Sequence, residues 1–132
     1  MRNAKHGRRR DRGAAAVEMA LVLPLLISML FGVIDFGRLF NAEIQLSQAA
    51  REGARVAALG ATAGDPVARA IAAAPAAGFG GGGPITGTAI VCPAAPAAGA
   101  DGVVTVRFAF TFFLPLLPDR TLTQTARMRC GG

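Results

Sequence analysis

Residues 14–34 read AAAVEMALVLPLLISMLFGVI, 21 positions in which Glu18 is the sole ionisable group. Wound as an α-helix at about 1.5 Å per residue, such a run reaches roughly 30 Å, the thickness of a bilayer's hydrocarbon core. A soluble fold could host it only by covering it on every side. The rest of a 132-residue chain, with 17 glycines and much alanine, is too short and too poor in large apolar side chains for that. The run is therefore expected to span a membrane, leaving material for one small head domain at most. Ordinary signal cleavage fits poorly. A secretory signal's apolar region is about 7 to 15 residues long and ends at a small-residue site. Here the apolar pattern continues through Phe31, Phe36 and Phe40, with no Ala-x-Ala after it.

The formal net charge of +6 is concentrated in front of this run. Residues 1–13 hold Arg2, Lys5, Arg8, Arg9, Arg10 and Arg12 against Asp11, a balance of +5, whereas the remainder carries eight basic and seven acidic side chains. A short basic cluster abutting an apolar run is a topology determinant, not a nucleic-acid surface, and no nucleic-acid partner is expected. Six basic residues precede the run and three, Arg38, Arg51 and Arg55, follow within residues 35–55. The positive-inside rule then places the N-terminus in the cytoplasm and exports the C-terminal body through the cytoplasmic (inner) membrane.

Beyond the anchor, Leu39, Phe40, Ile44, Leu46, Ala50, Ala54, Val56 and Ala57 recur at helical spacing with polar residues between them, so residues 35–60 are read as an amphipathic extension of the same helix. Pro24 should kink or loosen it. Gly53 and Ala57, like Ser28 and Gly32, form small-xxx-small pairs that suit close packing. Asp65-Pro66 carries the signature of an N-cap and first helical residue, opening a short helix that stops near Pro75. The rest of segment 61–102 reads as a Gly/Pro/Ala-rich loop. Its run Gly80 to Gly83 lacks the Lys-Ser/Thr ending and strand-to-helix context of a phosphate cradle.

Residues 103–132 form the head. Val104, Val106, Phe108, Phe110 and Phe112 alternate with Thr105, Arg107 and Thr111, and after a turn containing Pro115 and Pro118, Leu122, Ala126 and Met128 alternate with Thr123, Thr125, Arg127 and Arg129. Both carry the period of a half-buried strand and fit a β-hairpin resting on the exposed helix. The expected class is α+β: a long transmembrane and amphipathic helix behind a basic leader (1–13), with a small head. Cys92 and Cys130 would lie toward one end of that hairpin. A bridge would close a loop of 39 residues, counted inclusively, for which chain entropy gives about 4 kcal/mol. Export permits oxidation. Unpaired buried thiols and intermolecular or metal roles stay open as alternatives.

Nothing in the chain demands catalysis or a cofactor. The sole histidine, His6, is in the leader, so no exported hydrolytic triad exists and Cys92 has no imidazole to activate it. Asp65, Asp101 and Asp119 stand beside Pro or Gly in turn-like contexts where capping accounts for them.

The string RRDRGAAAVEMALVLPLLISMLFGVIDFGRLF, followed by AAREGARVAA, resembles the TadE-like family, pseudopilins of tight-adherence pilus assembly within the type IV pilus superfamily. The likeness covers about the first 59 residues and rests on RG, AxVE, ALVLP, DFGR and REGAR together. It implies that a prepilin peptidase cuts after Gly13, making Ala14 the new N-terminus, and that Glu18 serves recognition in processing or assembly. It further implies a minor pilin-like component whose partners are other pilins or pseudopilins, an inner-membrane assembly platform and the lipid bilayer. A major pilus subunit and a single-pass anchored envelope protein without a pilus role are the alternatives. Family heads vary, so the resemblance gives Cys92 and Cys130 no role.

Overall fold

The computed structural model describes residues 7–74, 83–96, 98–113 and 117–131. The expectations for Arg2, Lys5 and His6, the helix stop at Pro75, glycines 80–82 and Pro115 lie outside them.

One helix, α1, runs from Gly7 to Leu59, 53 residues and about 80 Å long. It begins within the basic segment, so the change in charge at residue 13 is not a change in backbone. Ala, Leu, Met, Glu, Gln and Arg dominate it, all strong helix formers. Pro24 does not interrupt it: the helix continues on both sides, and Ser28 Oγ donates to the Leu25 carbonyl at 2.8 Å. One proline removes a single rung, which a helix of this length absorbs. At its other end Gly60 adopts φ +92°, a conformation glycine takes without a Cβ clash, and turns the chain out of the helix.

A single 3-10 turn, Ala61–Ala63, leads to α2, Pro66–Ala73. Asp65 caps it as the sequence predicts, its carboxylate accepting from the Val67 amide at 2.8 Å, with Pro66 in the first turn. Three antiparallel strands follow: β1 (Thr86–Ile90), β2 (Asp101–Phe110) and β3 (Arg120–Arg129), ordered β1-β2-β3. The predicted hairpin is the β2–β3 pair, and the structure adds β1 to it as a third strand. Segment TGTAI is five residues long, contains a glycine and carries little apolar alternation. Its local signal is that of a loop, and the free edge of β2 is what makes it a strand.

The core lies between the sheet and the distal half of α1. Val104, Val106, Phe108, Phe110 and Leu122 meet Ala42, Leu46, Ala49, Ala50, Ala54 and Ala57, all buried. Alanine on the helix face lets the sheet approach closely. Two glycines allow still closer approach: a Cβ on Gly53 would stand 2.7 Å from the Pro66 carbonyl oxygen and 2.9 Å from Ala70 Cβ in α2, and one on Gly102 in β2 would stand 2.8 Å from backbone atoms of Ala57 and Ala58. The small-xxx-small pair Gly53/Ala57 thus packs within the chain. Gly32 has no such neighbour. On edge strand β3, Met128 departs from the predicted apolar face and is 41% exposed opposite Gly102.

The proximal part of α1 is bare. Its most apolar window has mean hydropathy 2.4 and none of it is buried, and among the described residues α1 is the one helix long and apolar enough to cross a membrane.

Candidate functional site at the base of the head

The head begins where the apolar run ends. Asp35 is the first residue past that run and is wholly buried, although its neighbours Ile34 and Phe36 are exposed. Two elements account for this. Arg38, one turn further along α1, donates from Nη1 to Asp35 Oδ1 at 3.0 Å. Phe113, three residues past the end of β2, donates its backbone N–H to both carboxylate oxygens at 3.1 and 3.0 Å. The guanidinium of Arg38 is in turn covered by aromatic rings, 4.1 Å from the Phe113 centroid and 5.2 Å from that of Phe110. Phe112 meets Phe110 edge-on at 5.1 Å between centroids.

The arrangement has a direct electrostatic reason. A carboxylate at the exit of an apolar helix, left facing lipid, is costly unless it is paired and hydrogen-bonded. Here strand β2 reaches down α1 and closes over it, a contact between residues 78 apart in sequence. Asp35 and Arg38 thereby clamp the sheet to the helix at a fixed height. The sequence presents Arg38 only as a flanking charge and Asp35 only as part of the DFGR string. The signal available was local: the first carboxylate after the apolar run, with an arginine at i+3 in DFGR. Phe113 carried none, because its contribution is a backbone N–H.

The opposite end of the head is held by Cys92 and Cys130, joined as a disulfide with Cα atoms 5.7 Å apart. The Cys92 amide donates to the Ala57 carbonyl at 2.9 Å, filling an acceptor in the last turn of α1, and the Cys130 amide donates to the Ala100 carbonyl at 2.9 Å. A crevice of about 320 Å³ beside the disulfide is lined by Ala58, Leu59, Thr62 and Pro96 among others and offers no titratable group.

Gly13, Ala14 and Glu18 lie on the bare stretch of α1, remote from both fastenings. Ala14 and Glu18 share a helix face at i,i+4 spacing, and Glu18 stands about 25 Å along the axis from Asp35. All three are exposed, no side chain among the described residues pairs with Glu18, and a Cβ on Gly13 would touch nothing. Among the described residues no three His, Cys, Asp or Glu side chains gather as metal ligands would.

The family model described as TadE-like protein matches residues 13–55, a stretch that starts at Gly13 and takes in Glu18, Asp35 and Arg38. No match emerges among curated proteins or among solved structures.

Proposed function

The chain is TadE-like from residue 13 to residue 55, and on that premise we propose that it is a minor pilin-like (pseudopilin) component taking part in assembly of a tight-adherence type pilus. Its work is structural, not enzymatic. In this reading α1 anchors the protein in the cytoplasmic membrane by a single pass, with the basic segment inside and the disulfide-closed head exported.

The observation that carries the reading is Glu18: a lone carboxylate on a bare apolar helix, one turn from Ala14 and without a partner in its own chain among the described residues. Within lipid such a charge is penalised unless something neutralises it. A prepilin peptidase cutting between Gly13 and Ala14 would create an α-amino group one helical turn away and remove the arginine cluster. The Ala14 amine of a neighbouring pilin or pseudopilin then pairs with Glu18, and the assembly platform gathers such subunits side by side. Exposure of Phe36, Phe40 and Ile44, spaced four apart along α1, supports lateral association of this kind.

Mass spectrometry of the membrane-fraction protein tests the first step, with an N-terminus at Ala14 expected and an intact chain contradicting processing. Glu18→Gln should leave insertion unchanged and reduce crosslinked complexes with pilins. Undiminished crosslinking would remove Glu18 from assembly.

A further inference from the structure

The clamp at Asp35 fixes the height of the head above the membrane, and that height has a consequence for the tip that joins β2 to β3. The inference rests on the reading of α1 as a membrane span. The 21-residue apolar run fills about 30 Å, the whole hydrocarbon core, so Asp35 stands at its boundary with the headgroup layer. That layer is about 5–7 Å deep on each side. Phe113 donates its amide to Asp35 from 3.0 Å and therefore stands at the same depth. The last pair of the β2–β3 ladder is Phe110 with Arg120, and Phe113 and Leu117 belong to the connection between its two members.

Two of the tip's described residues are apolar and exposed, next to an exposed carboxylate, Asp119. Phe113 is 64% exposed and Leu117 is 42% exposed. On α1 at the same level Phe36 is 54% exposed. Asp35 and Arg38 lie on the helix face toward the head, and Phe36 is about 100° around the helix from Asp35, so apolar surface flanks the rod on more than one side. The Arg38 guanidinium sits over the Phe113 ring, 4.1 Å from its centroid, at the level of the headgroup layer.

We propose that Phe113 and Leu117, in the connection between β2 and β3, form a membrane-docking surface whose occupant is the headgroup and upper acyl layer of the leaflet on the head's side. The protein is then held by two lipid contacts, the span and the tip. The second sets the tilt of the rod, with the head packed on it, relative to the leaflet. Continuity with the span is what selects lipid over protein: the tip is held at the lipid boundary by its own hydrogen bond to the first residue beyond the apolar run.

The chain has no tryptophan and no tyrosine, so single tryptophans report depth without background. Full-length Phe113→Trp, Leu117→Trp, Leu25→Trp and Ile90→Trp proteins would each be reconstituted in phosphatidylcholine–phosphatidylglycerol vesicles carrying bromine near the headgroups or at mid-chain. Leu25 reports the span, and Ile90, exposed and paired with Val103, reports the far end of the sheet. Docking predicts that Phe113→Trp and Leu117→Trp are quenched about two-fold more by shallow than by deep bromine, Leu25→Trp the reverse, and Ile90→Trp by neither. Leu117 is outside the Asp35 contact and gives the same reading should Phe113→Trp disturb the tip. Quenching at Leu25 with none at either tip position overturns docking while leaving the span intact. Quenching at Ile90 equal to the tip's means the head lies flat, and also overturns it. A blue shift of the tip tryptophans that depends on protein concentration in lipid-free detergent would assign the tip to a second copy. No quenching at Leu25 refutes the span itself, and docking with it.

Discussion

Replacing Asp35 with alanine tests the clamp most directly. The substitution removes the acceptor of the Phe113 amide and an ion-pair partner of Arg38, while the side chain it deletes is wholly buried. A hydrogen bond to a charged group contributes about 1.5–3 kcal/mol, and stranding the partner of a buried ion pair costs about 3–5 kcal/mol. The second figure is an upper limit here. The Arg38 side chain is 19% exposed, so it can turn toward solvent, and it keeps its rings at Phe110 and Phe113. About 2–4 kcal/mol of head stability should be lost. Asp35→Asn, which keeps an acceptor oxygen but no charge, should lose about half of that. Pulse proteolysis across a urea series, on the full chain in detergent, measures both. Adding Arg38→Ala should cost less in the Asp35→Ala background than alone, by about 1 kcal/mol of coupling. Hydrogen exchange at the Phe113 amide should accelerate in Asp35→Ala ahead of the rest of β2. A loss below about 0.5 kcal/mol, the range of ordinary surface changes, would refute the claim that this carboxylate fastens sheet to helix.

Gly102→Ala forces a Cβ to within 2.8 Å of the α1 backbone and should destabilise the head by about 1–3 kcal/mol or more, read as a lower urea midpoint. Gly32→Ala, at a position with no neighbour within 4 Å, should leave that midpoint unchanged. Cys92→Ser should lower head stability by about 4 kcal/mol, and reduction of the wild-type protein should reproduce the loss in the same assay. Phe110→Ala empties the largest fully buried side chain of the core and should cost about 3–5 kcal/mol, with the α1 circular-dichroism signal retained.

The parts of the molecule governed by local pattern were legible without coordinates. An apolar run of bilayer length, a 3.6-residue period after it, the Asp65-Pro66 cap and the alternation of β2 and β3 are each set by neighbours within a few positions. The structure reproduces each to within a few residues: α1 ends at Leu59, α2 begins at Pro66, and the two long strands begin at Asp101 and Arg120. Strand β2 stops at Phe110, short of the predicted Phe113, because the chain there leaves the ladder and turns its amide to Asp35.

What tertiary structure alone decided shares one physical character: it depends on groups without a sequence signature. Strand β1 exists because β2 has an unpaired edge, and backbone N–H and C=O groups need partners whatever the side chains are. Gly102 matters because two backbones approach at that point, which no periodicity announces. The fastening of the head at the end of the apolar run joins Asp35 to a main-chain amide 78 residues away, and a main-chain amide is the same at every position until the fold chooses one. Sequence therefore determined the rod and the makings of the head. Where along the rod the head is held was settled by a buried charge that had to find hydrogen-bond donors.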